Sequence, residues 1–156
     1  MRPLPHEPID PSGLAVQLGL APHPEGGWFR RTWTSPRLLS DGRALSSSIF
    51  YLLSGRQVSR WHRLLDADEV WHHVAGDPME LRVSGNGRDE YVTVLGSDVR
   101  TDEVPQLVVA SGDWQSARPL GEWALVACTV TPEFTFDAYE LAPDGWEPGT
   151  LGSADA

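Results

Sequence analysis

The sequence predicts an all-β domain, a sandwich or barrel with one short N-terminal helix. Three observations carry that expectation. Short runs of β-type residues recur along the chain, turn residues separate them at regular intervals, and a helical period is absent beyond about residue 28.

Residues 1–9 read as a loose arm. The helix follows, with Asp10 as N-cap, Pro11 at the first helical position and Gly19 near the end. Leu14, Val16 and Leu18 are too few for a long amphipathic helix. The β-type runs cover residues 28–34, 46–53, 59–63, 69–75, 79–83, 91–95, 106–109, 114–117, 122–131 and 134–141. Turn residues fall between them, and Asn86 with Gly87 marks a hairpin tip. No strand–helix alternation appears, which disfavours a doubly wound α/β sheet. Residues 10–143 are expected to form one domain, and residues 144–156 a surface tail.

Composition narrows the function. The 156 residues suffice for one cored domain, and 40% hydrophobic content with seven Trp argues against disorder. The formal net charge of −10 repels a phosphate backbone, and only Arg30 and Arg31 stand together, so no nucleic-acid partner is expected. All 12 basic residues are Arg. Without Lys there is no Schiff-base chemistry and no P-loop lysine. Cys128 is the single cysteine, lies in an apolar run, and is expected to be buried and inert. No signal-peptide pattern and no membrane-length apolar run appear, so a cytoplasmic protein with no membrane partner is expected. Gly-x-Ser-x-Gly, P-loop and dinucleotide fingerprints are all missing.

The segment that suggests chemistry runs from residue 59 to residue 76. Residues two apart in a strand share a face. Arg60 therefore projects with His62, and Glu69 projects with Trp71 and His73, while His72 points the other way. If the two strands are neighbours, one barrel face collects an Arg, a His, a Glu and a Trp. Such groups are costly to bury unless they pair or bind something.

This pattern resembles the cupins, whose first motif has the form Gly-x5-His-x-His-x3–4-Glu-x6-Gly and whose second has the form Gly-x5-Pro-x-Gly-x2-His-x3-Asn. Glu69 and Gly76 keep the spacing of the first, with Arg60 and His62 where its two His would stand. Ala110, Gly112 and Gln115 fall at Pro, Gly and His of the second. More specifically, the chain resembles the small single-domain "cupin-five" family of unknown function. The resembling stretches are His23-Pro-Glu-Gly-Gly27, Ser59-Arg-Trp-His62, Asp68-Glu-Val-Trp-His72, Ala75-Gly-Asp-Pro78, Gly112-Asp-Trp-Gln115 and Cys128-Thr-Val-Thr-Pro132. The resemblance implies a double-stranded β-helix, the jelly-roll barrel, usually paired as a homodimer.

It also implies a site. His62 and Glu69 are the expected catalytic residues, and Arg60, Trp71, His73, Gln115, Ser48 and Tyr51 the expected ligand-binding ones. Cupins commonly hold a divalent metal on three His and one Glu; here His62, Glu69 and Gln115 are the candidate ligands. Arg60 cannot coordinate and would repel a cation, so a metal is the less favoured reading. Arg60 instead suits an anionic guest. His62 as general base with Tyr51 or Tyr139 as acid resembles the metal-free sugar-epimerase branch of cupins. Trp71 and Trp114 are weighed as flat pocket walls or as core, and one of His72 and His73 is expected on an outer face. Glu25 is expected in a structural turn, with the pocket mouth as its other reading. The leading expectation is binding of a small polar, anionic metabolite, with metal-independent isomerase or epimerase chemistry as its catalytic form. A metal-dependent cupin enzyme and a non-enzymatic ligand-binding or structural dimer are the rivals.

Overall fold

The structure is a computed structural model that describes residues 8–150. Helix α1 spans Pro11–Gln17; the Asp10 carboxylate accepts from the backbone N–H of Ser12 and Gly13, as an N-cap should. Gly19 takes the left-handed conformation at φ 67° that ends the helix. Through Ala15 the helix packs on Leu52 and Leu125, covering part of one sheet's outer face.

Eleven strands follow: β1 (Ala21–Pro22), β2 (Trp28–Thr34), β3 (Ser47–Ser54), β4 (Ser59–Leu64), β5 (Asp68–Gly76), β6 (Met79–Ser84), β7 (Tyr91–Leu95), β8 (Gln106–Val109), β9 (Trp114–Pro119), β10 (Trp123–Thr131) and β11 (Tyr139–Leu141). They form two sheets, six strands in the order β1-β2-β3-β10-β5-β8 and five in the order β11-β4-β9-β6-β7. Every pairing between them is antiparallel. This is the expected jelly roll. β6 and β7 form the hairpin whose loop carries Asn86 and Gly87, with Gly87 at φ 70°.

The two inner faces meet in a core that includes Leu53, Met79, Leu81, Leu95 and Val126, all fully buried. Three further members of that core, Tyr51, Trp71 and Cys128, also line a cavity, and there solid packing gives way to open space.

The strands depart from the expected runs in two places. β1 is too short, at two residues, to show a period. The run 134–141 divides into a 3-10 turn, Phe136–Ala138, and the short β11. Residues 144–150 of the expected surface tail fold back over the five-stranded sheet, and Trp146 is buried against Trp61 and Trp114. Glu147 fastens this strap by accepting from Trp61 Nε1 at 3.2 Å and Arg82 at 2.8 Å. Its Gly- and Pro-rich composition hid the one aromatic anchor. Residues 1–7 of the expected arm and 151–156 of the expected tail lie outside the described residues.

Candidate functional site

His62 enters the barrel because β4 carries a bulge. Ser59 pairs with Ala117 and His62 with Gln115, so three steps on β4 oppose two on β9. The extra residue breaks the alternation, and both Ser59 and His62 are buried. The His62 ring is held from behind: Nδ1 lies 2.7 Å from the Arg60 carbonyl oxygen and 3.0 Å from Glu25 Oε2. Both are acceptors, so Nδ1 carries the proton in the neutral ring. Nε2 makes no hydrogen bond among the described residues and, since none of their buried side-chain nitrogens or oxygens lacks a partner, it is open to the cavity as an acceptor.

Glu25 comes from the turn of residues 23–27. Gly26 and Gly27 adopt φ 104° and 80°, and a Cβ on Gly27 would stand 2.5 Å from the Leu52 carbonyl oxygen, so only glycine fits there. That turn directs the carboxylate inward, where it is 5% exposed. Tyr139 donates to Oε2 at 2.5 Å and Ser59 to Oε1 at 3.4 Å. Next to it, the Glu25 backbone N–H donates to His23 Nδ1 at 3.1 Å, which places the neutral His23 proton on Nε2. The 3.5 Å approach of His23 Nδ1 to Glu25 Oε1 is thus a contact between two acceptors, not an ion pair. Burial holds the His23 pKa below the usual imidazole value, against the pull of Glu25 and with the help of His62.

Across the lumen, β5 sends Glu69 and Trp71 inward from the other sheet. Gln115, on β9 beside His62, links them: its Nε2 donates to Glu69 Oε2 at 2.6 Å and its Oε1 accepts from Trp71 Nε1 at 2.8 Å. Burial pushes the Glu69 pKa above the usual carboxylate range; His62 and Gln115 oppose this, and Glu25 adds to it. Burial, and then Glu69, push the Cys128 thiol well above its ordinary value, so it stays protonated and unreactive.

These groups line a cavity of about 270 Å³. Its apolar walls include Phe29, Ile49, Leu64, Val130, Phe134 and Phe136. Burial, with Glu25 second, raises the phenols of Tyr51 and Tyr139 well above their ordinary pKa. Both hydroxyls are committed: Tyr51 donates to the Gly26 carbonyl oxygen at 2.6 Å and Tyr139 to Glu25. Neither is set to act as an acid on a guest.

Of the residues read from sequence, His62, Glu69, Trp71 and Tyr51 line the cavity, and Gln115 stands behind Glu69. Arg60 does not. The β4 bulge turns it outward, where it pairs with Asp144 on the strap. His73 is also outside: β5 is irregular there, Val126 pairing with His73 but Leu125 with Ala75, and His73 Nε2 lies 3.0 Å from the Asp77 carbonyl oxygen. His72 faces Gln106 at 2.7 Å. Ser48 is one residue out of phase; its hydroxyl meets Thr129 at 2.8 Å, and Ser47 lines the cavity instead. Trp114 belongs to the outer tryptophan cluster. Sequence reasoning missed His23, weighed the hydroxyls of residues 46–48 as pocket lining or edge caps without singling out Ser47, and gave Glu25 too small a part. The signal was present, because the 23–27 stretch was among those carrying the family resemblance, and an acid held by two positive-φ glycines is an aimed acid.

The candidate metal donors, His62, Glu69 and Gln115, do not form a fitting set. Gln115 turns its amide nitrogen toward Glu69 and spends its oxygen on Trp71, so it offers no ligand atom. Among the described residues no three His, Cys, Asp or Glu side chains stand together in metal-holding geometry.

The family described as "Cupin superfamily (DUF985)" matches residues 12–142. Among solved structures, protein SO0799 from Shewanella oneidensis is 34% identical, with TM-score 0.79, covering 84% of this chain and 83% of its own. A hypothetical protein from Leishmania major is 26% identical, with TM-score 0.77 and coverage of 86% and 88%. Oxalate decarboxylase from Bacillus subtilis is similar at 15% identity and TM-score 0.59 over 77% of this chain and 29% of its own, a likeness of fold alone. No curated protein matches.

Proposed function

The chain belongs to the DUF985 family of the cupin superfamily, and on that premise we propose that its barrel cavity binds a small, largely apolar molecule through one polar head. The observation that carries this reading is the His62 ring, 4% exposed, clamped at Nδ1 by Glu25 and the Arg60 carbonyl while Nε2 points free into an apolar chamber. Nε2 is reached from the cavity, where a guest's donor group can engage it. The anionic guest suggested by Arg60 loses its basis. Arg31, the guanidinium that lines the cavity, is engaged by Glu133 at 3.1 Å and the Phe134 carbonyl oxygen at 3.0 Å.

The catalytic form of the proposal is a metal-independent proton transfer. His62 Nε2 takes a proton from the guest, and Glu25 steadies the imidazolium that forms, as a carboxylate behind a histidine does in other hydrolytic and isomerising sites. An epimerase arrangement with base and phenol on opposite faces of a sugar is not supported. The His62 and Tyr139 rings lie side by side at 5.6 Å and 31°, both anchored on Glu25.

The test is a titration with benzyl alcohol, sized for a chamber that holds roughly nine water-sized atoms, following the His62 ring signals by NMR. Saturable shifts in the wild type, weakened in His62→Gln, support the site. Unmoved His62 signals at concentrations on the order of tens of millimolar refute it. A natural guest recovered with solvent deuterium on carbon marks turnover; one recovered unchanged marks a binding protein.

A further inference from the structure

Donor and acceptor positions around the cavity head are unequally spent. Trp71 donates to Gln115, Gln115 to Glu69, Tyr139 to Glu25 and Tyr51 to a backbone carbonyl, so the donors around His62 and Glu69 are used within the wall. Acceptors remain: His62 Nε2 on one sheet and the Glu69 carboxylate on the other, which Gln115 serves at Oε2. The donors left nearby are His23 Nε2 and the Ser47 hydroxyl, whose oxygen already accepts from the Phe134 N–H.

Charge is unequally balanced in the same way. Glu25 has Tyr139, Ser59 and His62 around it. Glu69, 7% exposed, has a neutral amide, a protonated thiol and only a share of the His62 ring that Glu25 already holds. A buried carboxylate without a cation is expensive, and neither a Lys nor a free Arg of this cavity can supply one. Six aromatic side chains, Phe29, Tyr51, Trp71, Phe134, Phe136 and Tyr139, make up much of the wall, and ring faces attract organic cations.

Resting on the cavity reading above, we propose that the guest is a small organic amine, bound as its ammonium between Glu69 and His62 Nε2 with its apolar body against the aromatic wall. An ammonium brings three donors and a positive charge to a head whose own donors are nearly all spent. The groups facing Glu69 are His62 on β4, Gln115 on β9, Cys128 on β10 and Glu25 from its turn. Burial raises the Glu69 pKa, so amine binding strengthens as pH rises through its titration and releases a proton from Glu69.

Three probes of one shape test this: benzylamine, benzyl alcohol and benzoate, titrated into the full chain by NMR on the His62 ring. Benzylamine is expected to bind at least about tenfold more tightly than benzyl alcohol, a difference of about 1.4 kcal/mol, and benzoate to be excluded. Glu69→Gln should erase the gap between the two probes. Should that variant fail to fold, the wild-type gap still decides, and it should shrink as pH falls. If benzyl alcohol binds as tightly as benzylamine, or benzoate binds best, the amine proposal is overturned and the cavity reading stands. If none of the three moves the His62 signals, both fall.

Discussion

Replacing Gln115 by Leu probes the two-bond bridge on which the head of the cavity is built. Leucine keeps most of the volume of a side chain that is 1% exposed, so the cost is almost wholly polar. Trp71 Nε1–H, donated to Gln115 at 2.8 Å, becomes a buried orphan at about 1–3 kcal/mol. Glu69 loses the 2.6 Å amide hydrogen bond that favours its ionised form, about another 1.5–3 kcal/mol when the carboxylate is charged. The second cost depends on pH. Burial raises the Glu69 pKa in the folded state, so the native protein holds the proton in a window where the unfolded chain has released it. Stability from this group is therefore complete below the unfolded carboxyl pKa and is lost as pH rises through the folded one. The variant raises the folded pKa further, so its deficit widens toward alkaline pH. Urea denaturation should show a loss of about 1–3 kcal/mol near pH 4, growing to roughly 2.5–6 kcal/mol near pH 8. A loss below about 1 kcal/mol, or one independent of pH, would refute the bridge.

Other expectations are simpler. Trp146→Ala should cost about 3 kcal/mol, the low end for a large aromatic because the strap is peripheral, and should open residues 142–150 to limited proteolysis. Nitrogen-15 NMR of the neutral His62 ring should find the proton on Nδ1; a proton on Nε2 would contradict the clamp by Arg60 O and Glu25. Arg60→Ala should leave probe binding in the cavity unchanged and shift stability by less than about 1 kcal/mol, since its ion pair with Asp144 is exposed. A large loss of cavity binding in that variant would return Arg60 to the site.

Much of this was legible in the chain. Seven-residue β2, the hairpin at Asn86 and Gly87, and the Asp10 and Pro11 helix start depend on local residue chemistry, and each formed where the residues place it. His62, Glu69 and Trp71 were recognisable because the spacing from Glu69 to Gly76 is a local pattern too. The strap was less legible: residues 144–156 read as a surface tail, and only the presence of Trp61 and Trp114 on the sheet beneath gives Trp146 a place to bury.

What the sequence by itself determined is most of the strands, their jelly-roll family and the short list of polar groups available to the barrel. The tertiary structure alone decided which of those groups meet. An alternation rule assigns faces only while pairing is regular, and one extra residue in β4 sent Arg60 outward to Asp144 and His62 inward to Glu25, 37 positions away in the chain. Bulges are settled by how two strands fit against each other, so no single strand announces them.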